Sequence, residues 1–189
     1  MNNKPKYNPN IHHRKSIRLK GYDYSQAGLY FITICCQDRI CRFGHVENGV
    51  MVLNEFGMVA YNEWAKLPER FPNFELDVFQ IMPNHIHGII ALVGATLAVA
   101  QNDAVAQNDA NNGAGASPAP TVFDIVGAYK SLVANDCLEN YKSKNETMGK
   151  FWQRNYHDHI IRNEQSYQNI SEYIINNPAK WNDDKFYTK

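Results

Sequence analysis

The chain has 189 residues, 44% of them apolar, and 19 basic side chains balance 19 acidic ones for a formal net charge of zero. That length and apolar content suit one domain with a core of its own. The longest apolar stretch, residues 85–100, is too short and too broken to span a bilayer, and the whole-molecule charge gives no argument for nucleic-acid binding.

The charge is unevenly spread. Residues 1–20 hold Lys4, Lys6, Arg14, Lys15, Arg18 and Lys20 and no acid, which leaves 13 basic against 19 acidic side chains in the remainder. A basic N-terminal arm, bounded at residues 1–24, on a mildly acidic body fits contact with phosphate; a solvated leader is the plainer alternative. The N-terminus is polar, without the apolar core of a signal peptide, and the cysteines at 35, 36, 41 and 137 form no CxxC pair. A soluble protein in a reducing compartment, the cytoplasm, is the expectation.

Residues 28–37, GLYFITICCQ, are rich in β-branched and aromatic side chains and predict a strand. In 41–54 the pair Asn48-Gly49 between two short apolar runs predicts a hairpin. From Asn54 the spacing of Phe56, Val59, Ala60, Trp64 and Leu67 predicts a helix closed by Pro68. Two strands, 74–82 and 85–93, follow as hairpin partners around Pro83-Asn84. Residues 94–120 break the pattern: AVAQND occurs twice in tandem at 98–103 and 104–109, and the remainder is small and polar. Such a segment cannot offset its ordering entropy and reads as a flexible low-complexity loop interrupting the domain of residues 25–189.

Thr121 as N-cap, with Asp124 three residues on, opens a helix with a stripe of Val122, Ile125, Val126, Tyr129, Leu132 and Val133. Residues 151–162 end in a strand. Asn163 caps a last helix, 164–176, and Pro178 bars its continuation, with Asn177 expected to leave the helix ahead of it. Strand, helix, strand, strand, helix, strand is the ferredoxin-like split β-α-β order. The expected class is α+β: an antiparallel sheet with helices on one face, an added hairpin and a C-terminal helix.

Within the strand at 85–93, His85 and His87 share one face while Ile86, Gly88, Ile90 and Leu92 serve the other. Side chains two apart in a strand lie about 7 Å apart, close enough for two imidazoles to converge on one cation. Two buried structural histidines are the competing reading, and a lone H-x-H does not decide between them. The last helix offers the missing parts. Tyr173 and Asn177 are four apart and share a face. A phenol, with a pKa near 10, is a weak nucleophile unless a cation neutralises and orients the phosphate it attacks.

MPNHIHGII at 82–90, FWQRNYHDHIIRN at 151–163 and YIINNPAKW at 173–181, with the opening RKSIRLKGYDYSQAGLYFITICCQDR, together resemble the single-tyrosine HUH transposases, in particular their REP-associated tyrosine transposase branch. HUH stands for histidine, bulky apolar residue, histidine, here His85-Ile86-His87. The similarity covers nearly the whole chain outside 94–120. It implies cleavage and rejoining of single-stranded or hairpin-forming DNA. A 5′-phosphotyrosine link forms on Tyr173, five residues before Pro178, and a 3′-hydroxyl is freed. It further implies a divalent metal, Mg2+ or Mn2+, on His85, His87 and Asn177, with His159 as an additional site residue and Arg14, Lys15, Arg18 and Lys20 on the DNA backbone. A domesticated hairpin DNA- or RNA-binding protein without cleavage is the alternative function, and a metal or redox role for the cysteine cluster a third. Tyr156 and Tyr167 are rival nucleophiles expected instead to pack, and Trp152 and Trp181 are expected in the core or over the site. Monomer and homodimer both remain open, as does the DNA target.

Overall fold

The structure, a computed structural model, describes residues 19, 21–93 and 119–188. The candidate contacts Arg14, Lys15, Arg18 and Lys20 and nearly all of the 94–120 segment lie outside them.

Six strands and four α-helices follow the predicted order. Strand β1 is Gly28–Cys35, and β2, Gly44–Glu47, and β3, Val50–Leu53, form a separate hairpin. Helices α1, Glu55–Ala65, and α2, Leu67–Arg70, lead to β4, Phe74–Ile81, and β5, His85–Leu92. Helix α3, Val122–Ser143, strand β6, His157–Ile161, and helix α4, Glu164–Asn176, complete the chain. The main sheet runs β4-β5-β1-β6 with every neighbouring pair antiparallel. That is the ferredoxin-like arrangement, with the first and third strands of the motif at the centre.

Local chemistry accounts for the boundaries. Asn48 and Gly49 both take left-handed φ, 50° and 77°, as a two-residue hairpin turn with the right twist requires. The Gly57 amide donates to the Asn54 side chain to start α1, Thr121 and Asp124 form a reciprocal capping box on α3, and the Ser166 amide donates to Asn163 to start α4. Pro68 departs from expectation. Helix α1 already ends at Ala65, and Pro68 sits in the first turn of α2, where a missing N–H costs nothing. Asn177 likewise does not leave the helical region. It keeps φ −59° and ψ −41°, and Pro178 opens a 3-10 turn, Pro178–Asp183. The pre-proline restriction disfavours that conformation without forbidding it, and Pro178 occupies a first-turn position there too.

The two sheet faces bury different things. Tyr30, Ile32, Ile34, Ile86 and Ile90 point to a core shared with Trp64 of α1 and Tyr129 and Val133 of α3. The Tyr129 hydroxyl ties these helices together by donating to the Ala60 carbonyl at 2.9 Å. On the opposite face Ile89 and Ile161 pack with Ile174, Ile170 and Tyr167 of α4, flanked by Leu29, Phe31 and Val78. The C-terminal helix therefore lies across the sheet from α1 and α3, on the histidine face. Gly88 makes room for the core: a Cβ there would sit 2.5 Å from Cζ2 of Trp64.

Candidate active site

Strand β5 delivers both imidazoles to one point. In its register with β1, His87 lies opposite Thr33 and His85 opposite Cys35. Both histidines are fully buried, and their Nε2 atoms are 3.0 Å apart. Each ring is held from behind: Nδ1 of His85 by the Oδ1 of Asn84 at 2.9 Å, Nδ1 of His87 by the Thr33 hydroxyl at 2.9 Å. Such outer partners orient imidazole ligands at metal centres.

Helix α4 brings the Tyr173 hydroxyl to 3.1 Å from His87 Nε2. Tyr173 is 38% exposed, so the phenol faces the pair with one side and solvent with the other. Phe31 wedges edge-on against Tyr173 and lies over His87. Tyr167, six residues earlier, points away and donates to Asp77 of β4 at 3.1 Å, and Tyr156 is buried.

Asp184, just past the 3-10 turn, completes the cluster, and the sequence reading did not include it. Its Oδ2 accepts from the Tyr173 hydroxyl at 3.2 Å and from the Asn177 amide at 2.8 Å, and its Oδ1 from the Phe186 amide at 2.6 Å. Ligand atoms of His85, His87 and Asp184 lie within 4.8 Å of one another, and among the described residues this is the one such group of histidine, cysteine and acid that could hold a metal. A nitrogen pair 3.0 Å apart subtends about 90° at an ion about 2.1 Å from each, which suits adjacent positions of an octahedron. Asn177 contributes a further donor atom: its Oδ1 is buried with no hydrogen-bond partner. Nothing in the sequence marks Asp184 beyond its being the second acid in NDDKF, because it reaches the site through a change of chain direction and not through a period.

The remaining expectations divide. Tyr173, His85, His87 and Asn177 are brought together. His159 is not: it is exposed on β6, opposite Phe31, and lines a cavity with Leu19, Tyr24 and Arg162. Trp181 lies 6.0 Å from His85 between ring centroids and covers the site, while Trp152 belongs to the core. The cysteines are all free; Cys35, Cys36 and Cys137 are buried and Cys41 is exposed.

Burial sets the electrostatics. It pushes His85 down to about 3, with Lys185 and Arg39 adding to the effect, and drives His87 well below the usual histidine range, helped by His85. Both rings are therefore neutral near pH 7, the form that binds metal. Partial burial, then the negative charge of Asp184, raise the Tyr173 phenol to about 12. Unaided, it stays protonated.

Two neutral imidazoles on a central strand of a ferredoxin-like sheet, facing a helix-borne tyrosine, define the single-tyrosine HUH class. The chain is 42% identical to an uncharacterised protein of Haemophilus influenzae over 96% of this chain and 97% of the other. It is 28% identical, over 84% and 74% of the two chains, to a protein of the same organism provisionally named a REP-associated tyrosine transposase. The solved structure of a REP-associated tyrosine transposase bound to a REP hairpin superposes with a TM-score of 0.54 at 19% identity, covering 87% of this chain and 74% of that one. No family model matches. The chain belongs to the single-tyrosine HUH transposase family, in its REP-associated branch.

Proposed function

We propose that this transposase-family protein is a metal-dependent single-stranded DNA nickase and strand transferase with Tyr173 as its nucleophile. The observation that carries the reading is the Tyr173 hydroxyl 3.1 Å from His87 Nε2, beside the buried imidazole pair. His85, His87 and Asp184 would hold a divalent cation, Mg2+ or Mn2+, with Asn177 Oδ1 next to them. The cation would neutralise the phosphodiester and hold it in line for attack.

The remaining work falls to the chain. The Tyr173 oxygen bonds to phosphorus as the bond from phosphorus to the 3′-oxygen breaks, giving a 5′-phosphotyrosine and a free 3′-hydroxyl. The phenol proton has an acceptor in Asp184 Oδ2, 3.2 Å away, and is returned through solvent to the departing 3′-oxygen. Phe31 and the α4 packing fix the phenol's approach, which matters because correct orientation supplies much of such a barrier. Reversal with a different 3′-hydroxyl joins strands. Nucleophile and imidazoles meet within one chain, which supports a monomer as the catalytic unit. The solved relative's REP hairpin supports hairpin-forming DNA as substrate, and Arg14, Lys15, Arg18 and Lys20 are the proposed backbone contacts.

The test is a labelled hairpin oligonucleotide incubated with Mn2+ or with EDTA. The wild type forms a covalent adduct only with Mn2+, and Tyr173→Phe forms none while binding the hairpin with unchanged affinity. An adduct on the Phe variant ends the assignment of Tyr173. Hairpin binding with no cleavage by the wild type would leave a binding protein.

A further inference from the structure

Asn84 precedes His85 and is 1% exposed. Its surroundings accept only one orientation of its amide. The Nδ2 faces the carbonyl oxygens of Arg39 at 3.1 Å and Phe186 at 2.8 Å, and the Thr188 hydroxyl at 3.3 Å. Carbonyls only accept, so the nitrogen must face them, and Oδ1 must face Nδ1 of His85 at 2.9 Å. That Oδ1 also only accepts. His85 must therefore carry its single ring proton on Nδ1, which leaves Nε2 a bare lone pair aimed into the site.

The consequence runs on through the network. His87 Nε2 lies 3.0 Å from that lone pair, and two bare lone pairs at this distance repel. Without a cation, His87 must carry its proton on Nε2 and donate to His85. Its Nδ1 is then an acceptor, so the Thr33 hydroxyl donates to it across 2.9 Å. The Tyr173 hydroxyl, which can no longer donate to His87, donates to Asp184 Oδ2 at 3.2 Å. When a cation takes both Nε2 atoms, His87 must move its proton to Nδ1. Thr33 then turns from donor to acceptor, as a hydroxyl can. The proton lost at Nε2 is balanced by the one gained at Nδ1.

We propose that Asn84 is a positioning residue that presets His85 as a ligand in both states, whereas His87 is the adjustable ligand that changes tautomer, through Thr33, when the metal binds. The proposal rests on the metal reading above for its second half only; the preset of His85 holds without any ion.

Long-range 1H–15N correlation spectra of the full chain distinguish ring tautomers directly. Metal-free wild type shows His85 protonated on Nδ1 and His87 on Nε2; saturating Mg2+ leaves His85 unchanged and moves the His87 proton to Nδ1. Asn84→Ala gives mixed His85 tautomers and a Mn2+ affinity, read by electron paramagnetic resonance of the free ion, about 10- to 100-fold weaker. Asn84→Asp keeps an acceptor against Nδ1 and retains both the His85 tautomer and most of the affinity, even though it loses the donors to Arg39 and Phe186. His85 protonated on Nε2 in the metal-free wild type overturns the proposal, as does a single unchanged tautomer in a folded Asn84→Ala. If Asn84→Ala fails to fold, the wild-type and Asn84→Asp spectra still decide. A wild type that shows the preset tautomer yet binds neither ion refutes the metal centre and the His87 switch, and leaves the role of Asn84 intact.

Discussion

At the scale of single residues, the site is a set of polar groups bought out of water and then satisfied in a fixed pattern. His85 and His87 are neutral because burial drives both well below the histidine range. In the unfolded chain they titrate near roughly 6.5. Below that pH the unfolded state binds protons that the native state refuses, so stability falls as pH drops from about 6.5 toward about 3, by up to about 1.4 kcal/mol per pH unit for each ring. Melts of the EDTA-treated protein are expected to drop between pH 7 and pH 5, more steeply than those of a His85→Asn, His87→Asn double variant. Equal slopes would show that the rings do not carry the effect. Gly88 makes a second residue-scale case. An added Cβ would meet the fully buried indole of Trp64 at 2.5 Å, so Gly88→Ala is expected to cost about 1–3 kcal/mol by overpacking, measured by urea unfolding. The sequence alone places Gly88 on the face opposite the histidines; that Trp64 fills the space above it is a fact of packing between β5 and α1.

At the scale of elements, α4 carries the chemistry and is held by its ends and one apolar face. Asn163 caps it, Tyr167, Ile170 and Ile174 bury it against the sheet, and Tyr173 projects beside that stripe toward His87. Asn163→Ala is expected to lower stability by about 1 kcal/mol in thermal melts while metal affinity stays unchanged, because the cap is ten residues from the phenol. The helix and its cap were legible in the sequence, since a 3.6-residue period and an Asn before Glu-Gln-Ser are local signals. Its termination was not. Pro178 promised a break, and the chain instead turns through a 3-10 segment that returns Asp184 to the site. Two first-turn prolines, Pro68 and Pro178, were both read as stops for the same reason: proline excludes the interior of a helix, but a sequence does not show where a helix begins anew.

At the scale of the whole molecule, the 94–120 segment separates β5 from α3 in sequence while Asn73 holds the two described ends together. The Val93 amide donates to the Asn73 carbonyl at 2.9 Å, and the Asn73 side chain donates to the Pro120 carbonyl at 3.0 Å. Replacing residues 96–117 with a short Gly/Ser linker is therefore expected to leave the fold intact and the melting temperature unchanged or slightly raised, since each halving of a loop recovers only about 0.6 kcal/mol. A large loss of stability would show that the segment contributes packing of its own. No helix among the described residues is long and apolar enough to cross a membrane.

The order of strands and helices, the capping residues, the hairpin turn and the shared face of His85 and His87 were determined by the sequence itself, because each follows from a period or a dihedral preference acting over a few residues. The tertiary structure alone decided that α4 crosses the sheet on the histidine face, that Tyr173 and not Tyr167 reaches His87, that His159 stands apart, and that Asp184 joins the cluster. Those outcomes depend on which surfaces pack together and where the chain turns back. They are settled by burial summed over residues far apart in sequence, which no local pattern records.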